Sequence, residues 1–158
     1  MQGPHDISFD IVDPRSPDAV ASMAAYFAEL DERFPGGFDA GDALTSEAAM
    51  FGPPLGAFVV VRVDGVMVGC GGLQTIGHGV GEIKRMWIHP DHRGRGLASR
   101  LLATLESTCR ALGNPVVRLD TNAVLTDAIR MYERAGYLPI ERYNENPYAQ
   151  RWFEKRLD

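Results

Sequence analysis

The sequence predicts a mixed α/β fold of the α+β kind, and three patterns carry that prediction. Ala57 to Val63 and Val66 to Leu73 are β-branched runs joined by Asp64-Gly65, the strongest short signal of an antiparallel hairpin. Beyond them, strand-like and helix-like segments alternate, which implies neighbouring parallel strands joined by helices. No repeat, low-complexity tract or linker divides the chain, so residues 1–158 are expected to form one domain around one mixed sheet.

Ile7 to Val12 sets Ile7, Phe9 and Ile11 against Ser8 and Asp10, the period of a half-buried strand. From Asp18 to Phe34, Val20, Met23, Ala24, Phe27 and Leu30 recur at helical spacing, with Ser16 or Asp18 available as a cap and Pro35-Gly36-Gly37 as the stop. Asp42 to Met50 is a further helical segment, closed by Gly52, Pro53 and Pro54. Val80 to Ile88 reads as a strand. Leu97 to Leu112 is a helix with Leu97, Leu101, Leu102, Leu105, Cys109 and Leu112 on one side. Val116 to Asp120 is a short strand, Thr126 to Ala135 a helix ending at Gly136, and Tyr137 to Ile140 and Trp152 to Arg156 are the last strands.

Composition narrows the function. The 158 residues carry 16 basic and 21 acidic side chains, a formal charge of -5, so a nucleic-acid backbone is not the expected partner. The longest uncharged stretch, Gly65 to Gly81, is broken by glycines and His78 and cannot span a bilayer, which excludes a membrane span there. Met1 to Phe9 lacks the basic start and apolar run of a signal peptide, so the cytoplasm is the expected location. Cys70 and Cys109 each lie within an apolar pattern, as reduced and buried thiols do.

The chemistry concentrates between Ile88 and Leu97, in His89-Pro90-Asp91-His92-Arg93-Gly94-Arg95-Gly96. A helix start leaves about four backbone N–H groups without internal partners and carries partial positive charge. Glycines let an anion approach closely, and Arg93 and Arg95 add bidentate charge-assisted bonds. A pyrophosphate is the natural guest. His89 and His92 lack a third ligand at suitable spacing and sit beside cationic arginines, so no metal is expected.

Downstream lie a strand ending in Asp120-Thr121-Asn122 and a helix bearing Ile129-Arg130-Met131-Tyr132-Glu133-Arg134-Ala135-Gly136-Tyr137. Here the sequence resembles the GNAT superfamily of acyl-CoA N-acyltransferases. Arg93, Gly96 and Ala98 match its R-x-x-G-x-[GA] motif and Tyr132 to Tyr137 its Y-x-x-x-G-[FY] signature, within a resemblance running from Ala57 to Tyr137. The resemblance implies a mostly antiparallel sheet of about seven strands, flanked by about four helices, with one parallel pair splayed to admit the pantetheine arm.

It also implies roles. Met86, Trp87 and Ile88 would pair their backbone with pantetheine and the thioester of acetyl-CoA. Arg93, Gly94, Arg95, Gly96, Leu97, Ala98 and Ser99 would hold the pyrophosphate, and Asn122 would bond the pantetheine arm. Tyr132 would protonate the departing thiolate, unless it is only a core aromatic spaced from Ile129 and Leu125. The acceptor amine must be neutral to attack, at a cost of roughly 4 to 5 kcal/mol at pH 7 for a lysine-like amine. Glu82 is the candidate base, and pairing with Lys84 or Arg85 is its structural alternative.

Arg33 and Phe34, with Tyr143 and Tyr148 of a polar aromatic loop, are candidates to border a small-molecule amine. Trp152 and Phe153 are candidates either for a homodimer contact or for closing the core. The leading expectation is an acetyl-CoA-dependent N-acetyltransferase acting without a covalent enzyme intermediate. An acyl-CoA sensor without turnover and a dinucleotide-binding oxidoreductase domain, mimicked by Gly94-x-Gly96 and Asp120, are its alternatives.

Overall fold

The computed structural model describes residues 5–41, 43 and 47–157. Its seven strands form one sheet in the order β1-β2-β3-β4-β5-β7-β6. They are β1 (Ile7–Val12), β2 (Gly56–Val63), β3 (Val66–Gly77), β4 (Val80–Ile88), β5 (Val116–Thr121), β6 (Leu138–Pro139) and β7 (Arg151–Arg156). The helices are α1 (Pro17–Arg33), α2 (Leu97–Ala111) and α3 (Thr126–Arg134), with short 3₁₀ turns at Glu47–Ala49 and Pro90–His92. All neighbouring strands are antiparallel except β4 and β5.

Among the described residues the sheet has one parallel pair and is otherwise antiparallel, unlike the doubly wound parallel sheet of a dinucleotide-binding domain, which counts against the oxidoreductase alternative. Of the helix expected over Asp42–Met50, residues 42 and 44–46 lie outside the described residues, and the described remainder contains the 3₁₀ turn. Three α-helices thus stand among the described residues, against the four expected. Ser16 occupies the cap position of α1 in extended conformation, but its buried hydroxyl has no partner. Pro17 follows at the first helical position, where its missing N–H costs nothing.

Alternation along the strands builds one core on each face of the sheet. Val59, Val61, Ile83, Val117 and Leu119 meet the Leu97-Leu101-Leu105-Cys109 stripe of α2, and Tyr132 joins this side. Phe58, Val60, Cys70 and Trp87 meet Met23, Phe27 and Leu30 of α1 on the other. Both thiols are free, and burial pushes them up, Cys70 to about 12 and Cys109 to about 11, so they stay protonated and inert. Phe153 is buried in the first core, and Trp152 donates its indole N–H to Asn144 at 3.0 Å, so both aromatics are used within the chain. No helix among the described residues is long and apolar enough to cross a membrane.

Two irregularities position the site. Cys70 pairs with Trp87 and Gly72 with Lys84, so β4 has one more residue than β3 between these pairs. Arg85 takes a positive φ of 59° at this bulge. Glu82 and Lys84, opposite the core residue Ile83, thereby share the α1 face of the sheet with Arg85, whose guanidinium lies 5.0 Å from the Phe27 ring centroid, and with Trp87. The second irregularity is the parallel pairing of β4 and β5, which runs only from Val80–Val116 to Glu82–Arg118. Past that point the strands part.

Candidate active site

The helix start fits an anion. Gly94 and Gly96 both adopt left-handed φ, 77° and 78°, which only glycine takes without strain. Gly96 is the N-cap of α2, makes no side-chain capping bond, and no acidic residue occupies the first turn. The first intrahelical bond runs from Arg100 N to Gly96 O at 3.2 Å, so the amides of Leu97, Ala98 and Ser99 stand at the open end of the helix.

The two arginines of this turn do different work. Arg93 donates from Nε to the Ile88 carbonyl at 2.8 Å and from Nη2 to Glu29 of α1. Glu29 also accepts from the Trp87 indole at 3.1 Å and from Arg33 at 3.2 Å. Burial works to raise the Glu29 pKa, but the bonds from Arg93 and Trp87 and the guanidinium charge outweigh it, and its carboxyl lies below the usual range. Arg93 thus braces the turn against α1 and the end of β4. Arg95 is exposed beside it.

A cleft of about 440 Å³ opens where β4 and β5 part. Met86, Asn122, Leu125, Ala128 and Tyr132 line it from β4, the end of β5 and α3, and Tyr26, Leu30, Phe34, Phe38 and Tyr148 line it beside α1. Lys84, Arg85 and Asp120 are its charged lining on β4 and β5. Burial raises the phenol of Tyr132, and nearby Tyr26 and Asp120 raise it further, so Tyr132 keeps its proton at neutral pH. Burial likewise pushes Tyr26 up to about 12, against the pull of Arg85. Asn122 donates to the Tyr148 carbonyl at 2.8 Å and accepts from Val124 N at 3.0 Å, holding the segment between β6 and β7 against the end of β5.

Glu82 does not line this cleft. It lines an adjoining pocket of about 410 Å³ with Gln74, Lys84, Arg118, Tyr143, Asn144 and Asn146. Only 3% exposed, it accepts from the Tyr143 hydroxyl at 2.6 Å, Gln74 at 2.8 Å and Asn144 at 3.2 Å. Two carboxylates reach the cleft, Asp39 and Asp120, and Asp120 accepts from Asn144 at 2.6 Å and Asn146 at 3.1 Å. Asn144 therefore bridges Glu82 and Asp120. Lys84 Nζ lies between them, 3.6 Å from Glu82 and 3.8 Å from Asp120.

Among the residues expected from sequence, the structure brings Met86, Asn122, Tyr132, Phe34 and Tyr148 to one cleft. Trp87 and Ile88 are buried beside it, and Arg33 instead pairs with Glu29 and donates to the Val124 carbonyl at 3.4 Å. Tyr26, Phe38 and Lys84 had no functional signal of their own in the sequence, and Asp120 was singled out only as the acidic residue of the dinucleotide-binding alternative. Asp120 and Lys84 do stand at alternate positions opposite the core residues Leu119 and Ile83, and two charges at such places on adjacent strands were the signal available.

The sequence model of the acetyltransferase (GNAT) family matches residues 23–137. An IAA acetyltransferase of Azospirillum brasilense is 36% identical over 97 residues, 58% of this chain and 63% of that protein. An uncharacterized N-acetyltransferase of Schizosaccharomyces pombe is 32% identical over 108 residues, 67% of this chain and 66% of that protein. The chain thus spans just under two thirds of the length of these relatives. The crystal structure of a GNAT-family acetyltransferase from Staphylococcus aureus Mu50 superposes with a TM-score of 0.83 at 15% identity, covering 97% of this chain and 100% of that one, a likeness of fold.

Proposed function

The chain belongs to the acetyltransferase (GNAT) family, and from that premise we propose that it transfers an acetyl group from acetyl-CoA directly to a primary amine of a small-molecule or amino-acid-like acceptor. The observation that carries this reading is the gap between β4 and β5: it opens past Glu82–Arg118 and has the protonated Tyr132 in its wall. Acetyl-CoA supplies a thioester, whose carbon is open to attack and whose sulfur must leave protonated. The open amides at Leu97, Ala98 and Ser99, the glycines at 94 and 96, and Arg95 suit its diphosphate. Met86, with the backbone of Trp87 and Ile88, and Asn122 suit the pantetheine arm.

As the amine nitrogen bonds to the acetyl carbon and the carbon–sulfur bond breaks, Tyr132 gives its phenolic proton to sulfur. The proton lost by the amine passes to the carboxylate pair, reaching Glu82 through water past Asp120, and solvent restores the phenol. Excluding bulk water from the gap strengthens these interactions. An amide and a free thiol are the products, with no acyl-enzyme.

The test pairs binding with turnover. Acetyl-CoA at about a hundred times its dissociation constant is expected to stabilise the protein by roughly 2.7 kcal/mol in a thermal melt. Thiol release should then depend on added amine, which a sensor without turnover would not show. Arg95→Ala should weaken acetyl-CoA about tenfold at unchanged Tm, as loss of a charge-assisted bond on an exposed side chain does. Arg93→Ala should lower both affinity and Tm, because it also unpins Glu29. Unchanged affinity in Arg95→Ala together with amine-independent release would overturn the reading.

A further inference from the structure

We propose that the acceptor is a zwitterion with an aromatic side chain, an aromatic α-amino acid, its amine held by Asp120 and Tyr26, its carboxylate by Lys84 and its ring by Phe34, Phe38 and Tyr148. This rests on the transfer reading above and specifies which amine enters the same cleft. Charge is the first ground. The cleft wall presents Lys84 and Arg85 together with Asp39 and Asp120, two charges of each sign. A simple cationic amine would meet the Lys84 ammonium beside Asp120, whereas a zwitterion lying antiparallel to the Lys84–Asp120 pair meets an opposite charge at each end.

Lys84 is the second ground. Its ammonium is 3.6 Å from Glu82 and 3.8 Å from Asp120, beyond hydrogen-bond length for both, while its side chain is only 16% exposed. Its protons are thus available to a further acceptor in the cleft, and a carboxylate gives the strongest bond to them. Asp120 has the opposite need. Its oxygens accept from Asn144 and Asn146, and an acetate-like oxygen has room for more than one donor. Tyr26 lines the same cleft from α1.

The third ground is shape. Phe38 and Tyr148 have ring centroids 4.5 Å apart, and Phe34 lies 5.8 Å from Tyr148 and 5.9 Å from Phe38. The Tyr148 hydroxyl accepts from Asp39 N at 3.0 Å, which fixes that ring in the wall. Rings so grouped in the wall of a cleft favour a flat partner through offset and edge contacts.

Initial rates of thiol release from acetyl-CoA, measured with the whole protein, test this with L-phenylalanine, L-tryptophan, L-phenylalaninamide, 2-phenylethylamine and L-alanine. The two aromatic acids should exceed phenylalaninamide and phenylethylamine, which lack the carboxylate, at least tenfold in kcat/KM, and exceed alanine by a similar factor. Lys84→Met and Lys84→Gln should bring the acid-to-amide ratio to within twofold, mostly through KM for the acid. Release by phenylethylamine equal to that by phenylalanine would overturn the zwitterion and leave acetyl transfer standing. A tight acetyl-CoA complex with no release by any amine would overturn both.

Discussion

Tyr132→Phe should lower kcat by 10²- to 10⁴-fold while leaving the dissociation constant of acetyl-CoA within about threefold, because only the proton donor is lost. The phenol is 7% exposed and its ring packs against Tyr137 and Phe153 at 5.8 and 6.2 Å, contacts that phenylalanine keeps. Burial raises its pKa above the ordinary 10.0. The folded protein therefore holds this proton in a range where the unfolded chain releases it. Stability from this group is complete below pH 10 and falls as pH rises beyond, and the wild-type kcat should show no alkaline decline from Tyr132 up to about pH 10. Steady-state rates from pH 6 to pH 10 decide the point. A Phe variant within threefold of wild type would reduce Tyr132 to a core aromatic.

Gly96→Val should weaken acetyl-CoA by at least a hundredfold. At φ 78° and ψ 7° the residue sits in the left-handed region, where a β-branched side chain is strained by about 1–2 kcal/mol. The space around an added Cβ at Gly96 is open, so the folded chain can accommodate the atoms. The loss should fall on the ligand: the strained residue turns away from its cap conformation, the first-turn amides rotate with it, and a diphosphate meets the valine methyls. Titration calorimetry of the variant, with a melt to establish folding, measures this. Wild-type affinity in a folded Gly96→Val protein would show that the turn does not grip the donor.

Local pattern was enough for most of the fold. Ile7–Val12, the Asp64-Gly65 hairpin and the Leu97-to-Cys109 stripe were legible because each is set by alternation, turn chemistry or helical spacing within a few residues. The bulge at Arg85 was not, because Val80 to Ile88 contains no residue that marks it, and a simple alternation would have placed Arg85 and Trp87 on the wrong face. The shared place of Asp120, Lys84 and Tyr26 escaped for a related reason: they come from β5, β4 and α1, and only the closed sheet puts them around one cleft. The bond from Arg93 to Glu29 spans 64 residues, so sequence alone could not show that this guanidinium braces the turn against α1.

A crystal structure of the complex with acetyl-CoA tests the account most directly. The diphosphate should accept from the amides at the start of α2, with the thioester between β4 and β5 and its sulfur within hydrogen-bond reach of the Tyr132 hydroxyl. A complex with the diphosphate elsewhere, and side chains closing the gap between those strands, would contradict it.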